Sequence, residues 1–166
     1  MCVLVAGFVG IAAAPPLAAL EAIALPPVDA LRVSKSERRL DLLSQGRVIQ
    51  SFPIALGFNP TGRKIMEGDG RTPEGSYLID ARNPASHFHR ALRISYPAVE
   101  DLARAAALGL DPGGEIMIHG LPNGRTRFGA DHVVSDWTDG CIALTNEQMD
   151  LVWHSVALGT PIEIAP

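Results

Sequence analysis

Aromatic side chains make up only 5% of this 166-residue chain, and cysteine occurs twice, at Cys2 and Cys141. So few rings give little support for a stacking platform for sugars or bases. Two cysteines form one disulfide at most, which excludes a disulfide scaffold. No CxxC and no Cys/His pair at finger spacing occurs, so the metal-ligand pattern of a structural zinc site is missing. Lys/Arg-rich runs are also missing. The 18 acidic side chains outnumber the 14 Lys and Arg, leaving a net charge of −4 and no electrostatic footprint for nucleic acid. What remains is 47% hydrophobic and 19% charged, enough to bury a core and of a length that suits one domain.

Residues 3–20, VLVAGFVGIAAAPPLAAL, carry no charge. The run is long for a secretory apolar region and is too interrupted by Pro15 and Pro16 for a comfortable span. Ala22-Ile23-Ala24 fits a small-residue cleavage signal, although no Lys or Arg precedes the run. Residues 1–24 therefore read as a signal peptide or an N-terminal anchor, residues 25–29 as a linker, and residues 30–166 as the domain. Cleavage would remove Cys2 and leave Cys141 as the one thiol of an exported protein, a candidate reactive group.

Short strands are expected at Ala30–Ser34, Arg39–Leu43 and Val48–Ala55, the last two split by the turn Ser44-Gln45-Gly46. Pro53 marks the third as an edge or as its end. Gly57–Gly75 is rich in turn formers and reads as loop, with strands at Ser76–Asp80, Glu115–His119 and Pro161–Ala165. A helix is expected over Pro97–Leu108, with Val99, Leu102 and Ala106 on its apolar face. A second starts at Thr145, capped by Thr145 and Gln148, and runs to about Leu158 before Gly159. Strands dominate, so the expected fold is mainly β, a sandwich or open barrel with two attached helices.

Cys141 stands in Asp136-Trp137-Thr138-Asp139-Gly140-Cys141. Gly140 lets a substrate backbone approach. The helix that begins just beyond supplies partial positive charge, and the amides of Asp139, Gly140 and Cys141 can converge on an oxyanion. A free cysteine is also commonly a small buried hydrophobe. A nucleophilic thiol needs a base, and His119 ends the apolar run Ile116-Met117-Ile118 before Gly120. The 22-residue separation lets the intervening loop fold back. His87 and His89, on one face of a strand, are weaker candidates for a cleft or metal; with them stand His132 and His154, the latter on a helix face.

The strings IMIHGLPNG and DWTDGCIALTN, with the earlier GDGRTPEG, resemble the L,D-transpeptidase catalytic domain (YkuD) family over about Ala30–Ala165. The D-W-T-x-G-C string is similar to a subgroup of murein L,D-transpeptidases, some of them hydrolases. The resemblance implies a β-sandwich-like fold and acyl transfer on peptidoglycan stem peptides in the cell envelope, without a cofactor or metal. It implies Cys141 as nucleophile, His119 as base, Gly120 orienting the His, Asp139 and Gly140 at the oxyanion, and Trp137 and Thr138 at the substrate. Carbapenem-type β-lactams would acylate the same thiol.

Three departures stand out. Asp139 replaces the family's His, Ala143 replaces an Arg or Asn, and the gap between His119 and the Cys motif is longer than in many members. Asp139 should raise the thiol pKa. Resolution of the thioester by an amine or by water is left open, as are a non-catalytic wall-binding domain and a metal site on Cys141, His119 and an aspartate. Sequencing the mature N-terminus of a C-terminally tagged protein should find a start near residue 25; an intact Met1 on a cytosolic product would remove the export reading.

Overall fold

A computed structural model describes residues 25–124 and 129–166. The expected leader and Cys2 fall outside the described residues. Leu25–Asp29 precedes the first strand without regular structure, with Val28 already buried.

The strands are β1 (Ala30–Ser34), β2 (Arg39–Ser44), β3 (Arg47–Pro53), β4 (Gly75–Asn83), β5 (Ala91–Ile94), β6 (Met117–His119), β7 (Ile142–Ala143) and β8 (Pro161–Ala165). They form one sheet in the order β3-β2-β1-β8-β4-β5-β6-β7. Alternation drives the pairing: Leu31 and Val33, Leu40 and Leu42, and Ile162 and Ile164 point inward, while Asp41, between the two leucines of β2, is covered on the other face by Arg32, Arg39 and Ser51. Pro53 closes edge strand β3, where a missing N–H costs no ladder bond. The chain leaving β3 then crosses to the opposite edge. Ala55 and Ala143 exchange hydrogen bonds of 3.1 and 2.9 Å, and Phe58 N–H donates to Thr138 O at 2.8 Å. The two edges thus meet, and the sheet curls into the open barrel that the strand-rich sequence implies.

The helices are α1 (Val99–Ala107) and α2 (Asn146–Ser155). The Thr145–Gln148 capping box opens α2 as its sequence dictates. The helix stops short of Leu158, because Val156 turns to extended backbone and is buried. The predicted apolar face of α1 is not its packed face. Val99 is 77% and Leu102 50% exposed, whereas Asp101 is buried. Asp101 Oδ2 accepts from Tyr77 Oη at 3.0 Å and from the Ala98 amide at 3.1 Å, and Arg104 pairs with Oδ1. A buried carboxylate with these partners turns the helix more strongly than its exposed leucine can. Strands β5 and β7, four and two residues long, have no counterpart in the sequence reading. Expected strand Glu115–His119 is cut short because Glu115 takes φ +55°.

Two buried ion pairs hold the Gly57–Gly75 loop, Lys64–Asp69 within it and Lys35–Glu74 at its end. Lys35 and Glu74 side chains are 3% and 11% exposed and 2.8 Å apart. Lys35 Nζ also donates to Gly62 O and Thr72 O, at 2.6 and 2.9 Å. Replacing Lys35 by Ala leaves the Glu74 carboxylate and both carbonyls without their donor. We expect a loss of about 3–5 kcal/mol in urea unfolding; a loss below about 1 kcal/mol would show that water replaces the ammonium.

Candidate active site

The parallel pairing of β6 with β7 brings Cys141 and His119 together. Ile118 lies opposite Ile142 and His119 opposite Ala143. Ile118 and Ile142 are fully buried on the core side. Alternation turns Met117 and His119 to the other face, and Cys141, one residue ahead of Ile142, follows them. Cys141, His119 and Met117 accordingly line one cleft of about 710 Å³, together with Phe88, Trp137, Asp139, Glu115 and Asn123.

His119 is held on three sides. Its Nδ1 lies 2.7 Å from Gly120 O. A carbonyl only accepts, so the proton is on Nδ1, and Nε2 is the nitrogen left for a thiol. The Phe88 ring packs against the imidazole with centroids 4.6 Å apart, and Trp137 meets it edge-on at 5.8 Å. Two of the chain's few aromatics, Phe88 and Trp137, thus flank the imidazole. Burial lowers the His119 pKa below the ordinary histidine value, opposed by the Gly120 hydrogen bond.

Cys141 is half-buried. Its Sγ lies 3.6 Å from Glu115 O, to which the S–H donates. Burial raises the thiol pKa. The Met117 backbone hydrogen bond and Lys64 work against that rise, while Asp139 and Glu115 add to it. The effect expected of Asp139 therefore has the right sign and is secondary to burial. With the thiol shifted up and the imidazole down, both shifts disfavour a preformed thiolate–imidazolium pair.

The turn that presents Cys141 is built from below. Asp136 takes a bidentate pair from Arg38 and accepts the Leu56 amide at 2.9 Å. Trp137 and Thr138 amides both donate to Leu56 O. The Thr138 hydroxyl donates to Cys141 O at 2.7 Å and accepts Gly140 N–H at 3.2 Å. Thr138 lines the cleft, but its hydroxyl works inward on this turn. The Gly140 amide is therefore committed to Thr138 and is not a free oxyanion donor, a correction to the three-amide expectation. Gly140 has φ +124°, and a Cβ there would lie 2.6 Å from Arg71 O. Asp139 is exposed at the rim. Ala143 is fully buried and bonded to Ala55 through both backbone groups, so this position has no space for an Arg or Asn.

The GDGRTPEG loop supports the turn from the far side. Asp69 accepts the amides of Ile65, Met66 and Arg71 and the ammonium of Lys64. Its carboxyl lies below the usual range: burial pushes it up, and these donors outweigh burial. Thr72 Oγ1 accepts Gly57 N–H at 3.1 Å.

His87 and His89 do not share a strand face. They lie in the turn between β4 and β5 and diverge, His87 to the cleft and His89 to Asp150 on α2 at 2.7 Å. His132 is buried, and its carbonyl accepts the Trp137 indole N–H. His154 is exposed on α2, 3.4 Å from Arg90. Among the described residues no three of His, Cys, Asp and Glu cluster as metal ligands. Phe88, Asn123 and Asn146 belong to the site and were given no role from the sequence: Asn123 and Asn146 stand inside the IMIHGLPNG and DWTDGCIALTN strings without a chemistry that marks them, and Phe88 stands outside every motif.

The chain matches the YkuD family, L,D-transpeptidase catalytic domain, over residues 29–164, and belongs to that family. It is 29% identical over 132 residues to the Escherichia coli K12 protein named "Putative L,D-transpeptidase YafK", covering 76% of this chain and 46% of that one. Among solved structures it is similar to the helical cell shape determining protein Pgp2 of Campylobacter jejuni, with 25% identity, TM-score 0.63 and coverage of 86% and 50%. It shares its fold with LD transpeptidase LdtMt1 in complex with imipenem, at 17% identity, TM-score 0.53 and coverage of 86% and 59%. The chain spans about half the length of YafK and Pgp2.

Two measurements follow from this geometry. Alkylation of Cys141 by iodoacetamide should accelerate with an inflection above ~pH 8.5, the ordinary thiol value; an inflection below pH 7 would mean a preformed thiolate. Gly140→Ala should cost about 1–3 kcal/mol of stability through backbone strain alone and lower thiol reactivity with it; an unchanged protein would contradict the close approach to Arg71.

Proposed function

We propose that the protein is a cysteine acyl-transferase of the bacterial cell envelope, acting on peptidoglycan stem peptides through a thioester on Cys141. The observation that carries the reading is the placement of Cys141 and His119 on one face of the β6–β7 pair, in a cleft of a YkuD-family domain. In the proposed reaction Nε2 of His119 takes the Cys141 proton as sulfur attacks the peptide carbonyl. The oxyanion is received by the amides of Asp139 and Cys141, since that of Gly140 is engaged. Collapse releases the amine, which takes the proton from His119, and the acyl group stays on sulfur. An acceptor amine then attacks the thioester, with His119 again as base, to give an L,D-cross-link and regenerate the thiol. Trp137 and Phe88 supply the apolar wall along which the donor peptide lies.

Water in place of the amine gives a hydrolase from the same thioester. The likeness to a cell shape determining protein favours this second reading, because shape is set by trimming as well as by linking. A substrate in the wall requires export, and the uncharged residues 3–20 are the segment proposed to provide it.

Incubation with tetrapeptide muropeptides, with and without a D-amino acid, should give mass-resolved products. An exchanged peptide in the presence of the D-amino acid identifies transfer, and a tripeptide in both arms identifies hydrolysis. Cys141→Ala should abolish both, and turnover retained in that variant would end the thiol mechanism. A carbapenem should add one adduct to the wild-type chain and none to Cys141→Ala by intact mass; an adduct on the variant would place acylation elsewhere.

A further inference from the structure

The peptide between Gly120 and Leu121 carries two hydrogen bonds on opposite sides. A trans peptide is planar, and its C=O and N–H point in opposite directions. Here the C=O accepts Nδ1–H of His119 at 2.7 Å, while the N–H donates to Asn146 Oδ1 at 2.9 Å. The preceding peptide is held as well, because Gly120 N–H donates to Phe88 O at 3.0 Å. Gly120 has no side chain for a physical reason: a Cβ would lie 2.7 Å from Asn146 Oδ1, 2.9 Å from His89 Cβ and 3.2 Å from Phe88 O. Asn146 is in turn the first residue of α2, whose start is set by the Thr145–Gln148 box. A local capping signal thus ends, through one side chain and one peptide, on the imidazole.

We propose that Asn146 is a positioning residue for His119, aiming the Gly120 carbonyl through the intervening peptide and so holding the imidazole in its Nδ1–H form. The inference rests on His119 being the base of the proposed reaction. An acceptor on the N–H side fixes the rotation of the peptide and polarises its carbonyl toward the ring. Without it the Gly120–Leu121 peptide has a buried donor unmet and is free to turn, and the ring loses the bond that selects its tautomer.

The test compares Asn146→Ala, which removes the acceptor, with Asn146→Asp, which keeps an oxygen at the same reach and suits the first turn of a helix. With a tetrapeptide muropeptide, Asn146→Ala should lose about 10–100-fold in kcat/KM, by analogy with the loss when the outer partner that orients a metal-bound His is removed, while Asn146→Asp stays within about threefold. The second readout needs no turnover. In a Cys141→Ala background, 15N chemical shifts of His119 should report a single Nδ1–H tautomer with Asn146 and a mixture with Ala at that position. A folded Asn146→Ala protein with wild-type turnover and an unmixed tautomer would overturn the proposal. Should Asn146→Ala fail to fold, Asn146→Gln moves the amide oxygen by one methylene and should lose turnover and mix the tautomers; wild-type behaviour in that variant would overturn it equally. Full activity in His119→Gln would instead remove the reading of His119 as base and leave the tautomer result standing.

Discussion

The candidate site depends on one register, that of β6 against β7. These strands have three and two residues, too few to hold themselves in a sheet. Their pairing is secured from outside. Ile118 and Ile142 are driven into the core, and Ala143 is pinned by Ala55 from the opposite edge of the sheet. Because side chains alternate, a slip of one residue would send His119 or Cys141 into the interior and an isoleucine into the cleft. Closure of the barrel and assembly of the cleft are therefore one event. The contact between edge segments that curls the sheet is the same contact that fixes the strand beside the thiol.

Close backbone approach is the second constraint. Gly57, Gly70 and Gly140 meet in one place, where a Cβ on Gly57 would fall 2.1 Å from Gly70 O and 2.9 Å from Gly140 Cα. A Cβ on Gly70 would strike the Phe58 ring, and one on Gly140 the carbonyl of Arg71. The GDGRTPEG loop is thus packed against the Gly140-Cys141 turn. Asp69, fastened by three amides and an ammonium, keeps that loop in shape without a regular element. Stability and site geometry share these atoms, so substitutions there should seldom affect one alone.

Local signals in the sequence carried the local structure. Thr145 and Gln148 marked the start of α2, and alternating residues marked β1, β2 and β8 to within a residue, because each rests on contacts inside its own segment. Cys141 and His119 were legible by chemistry and motif, and Gly120 by resemblance to the family. Phe88 was not, and Asn146, although inside the DWTDGCIALTN string, showed no role, since the importance of each comes from a ring contact or a hydrogen bond formed only when distant segments meet. The α1 face was misread for a related reason. Periodicity reports where apolar residues recur, but Asp101 meets Tyr77 from β4 only in the folded chain, and that bond decides which side of the helix turns inward.

Electrostatics around the thiol bear on which chemistry the site can perform. A carboxylate at Asp139 and another at Glu115 oppose the thiolate, and burial opposes it more. Burial also lowers the His119 pKa. Both shifts work against a charged thiolate, so the sulfur is not activated by its surroundings alone. In the proposed reaction charge appears only when a carbonyl carbon is in reach, as proton transfer to Nε2 and attack by sulfur occur together and the developing oxyanion takes up the negative charge. The oxyanion must then be met by donors other than the Gly140 amide, which Thr138 already holds. What the Thr138 hydroxyl gains by that bond is a fixed Gly-Cys turn. The site therefore gives up one candidate donor to hold the remaining groups in place, and its rate should depend on their placement more than on an activated thiol.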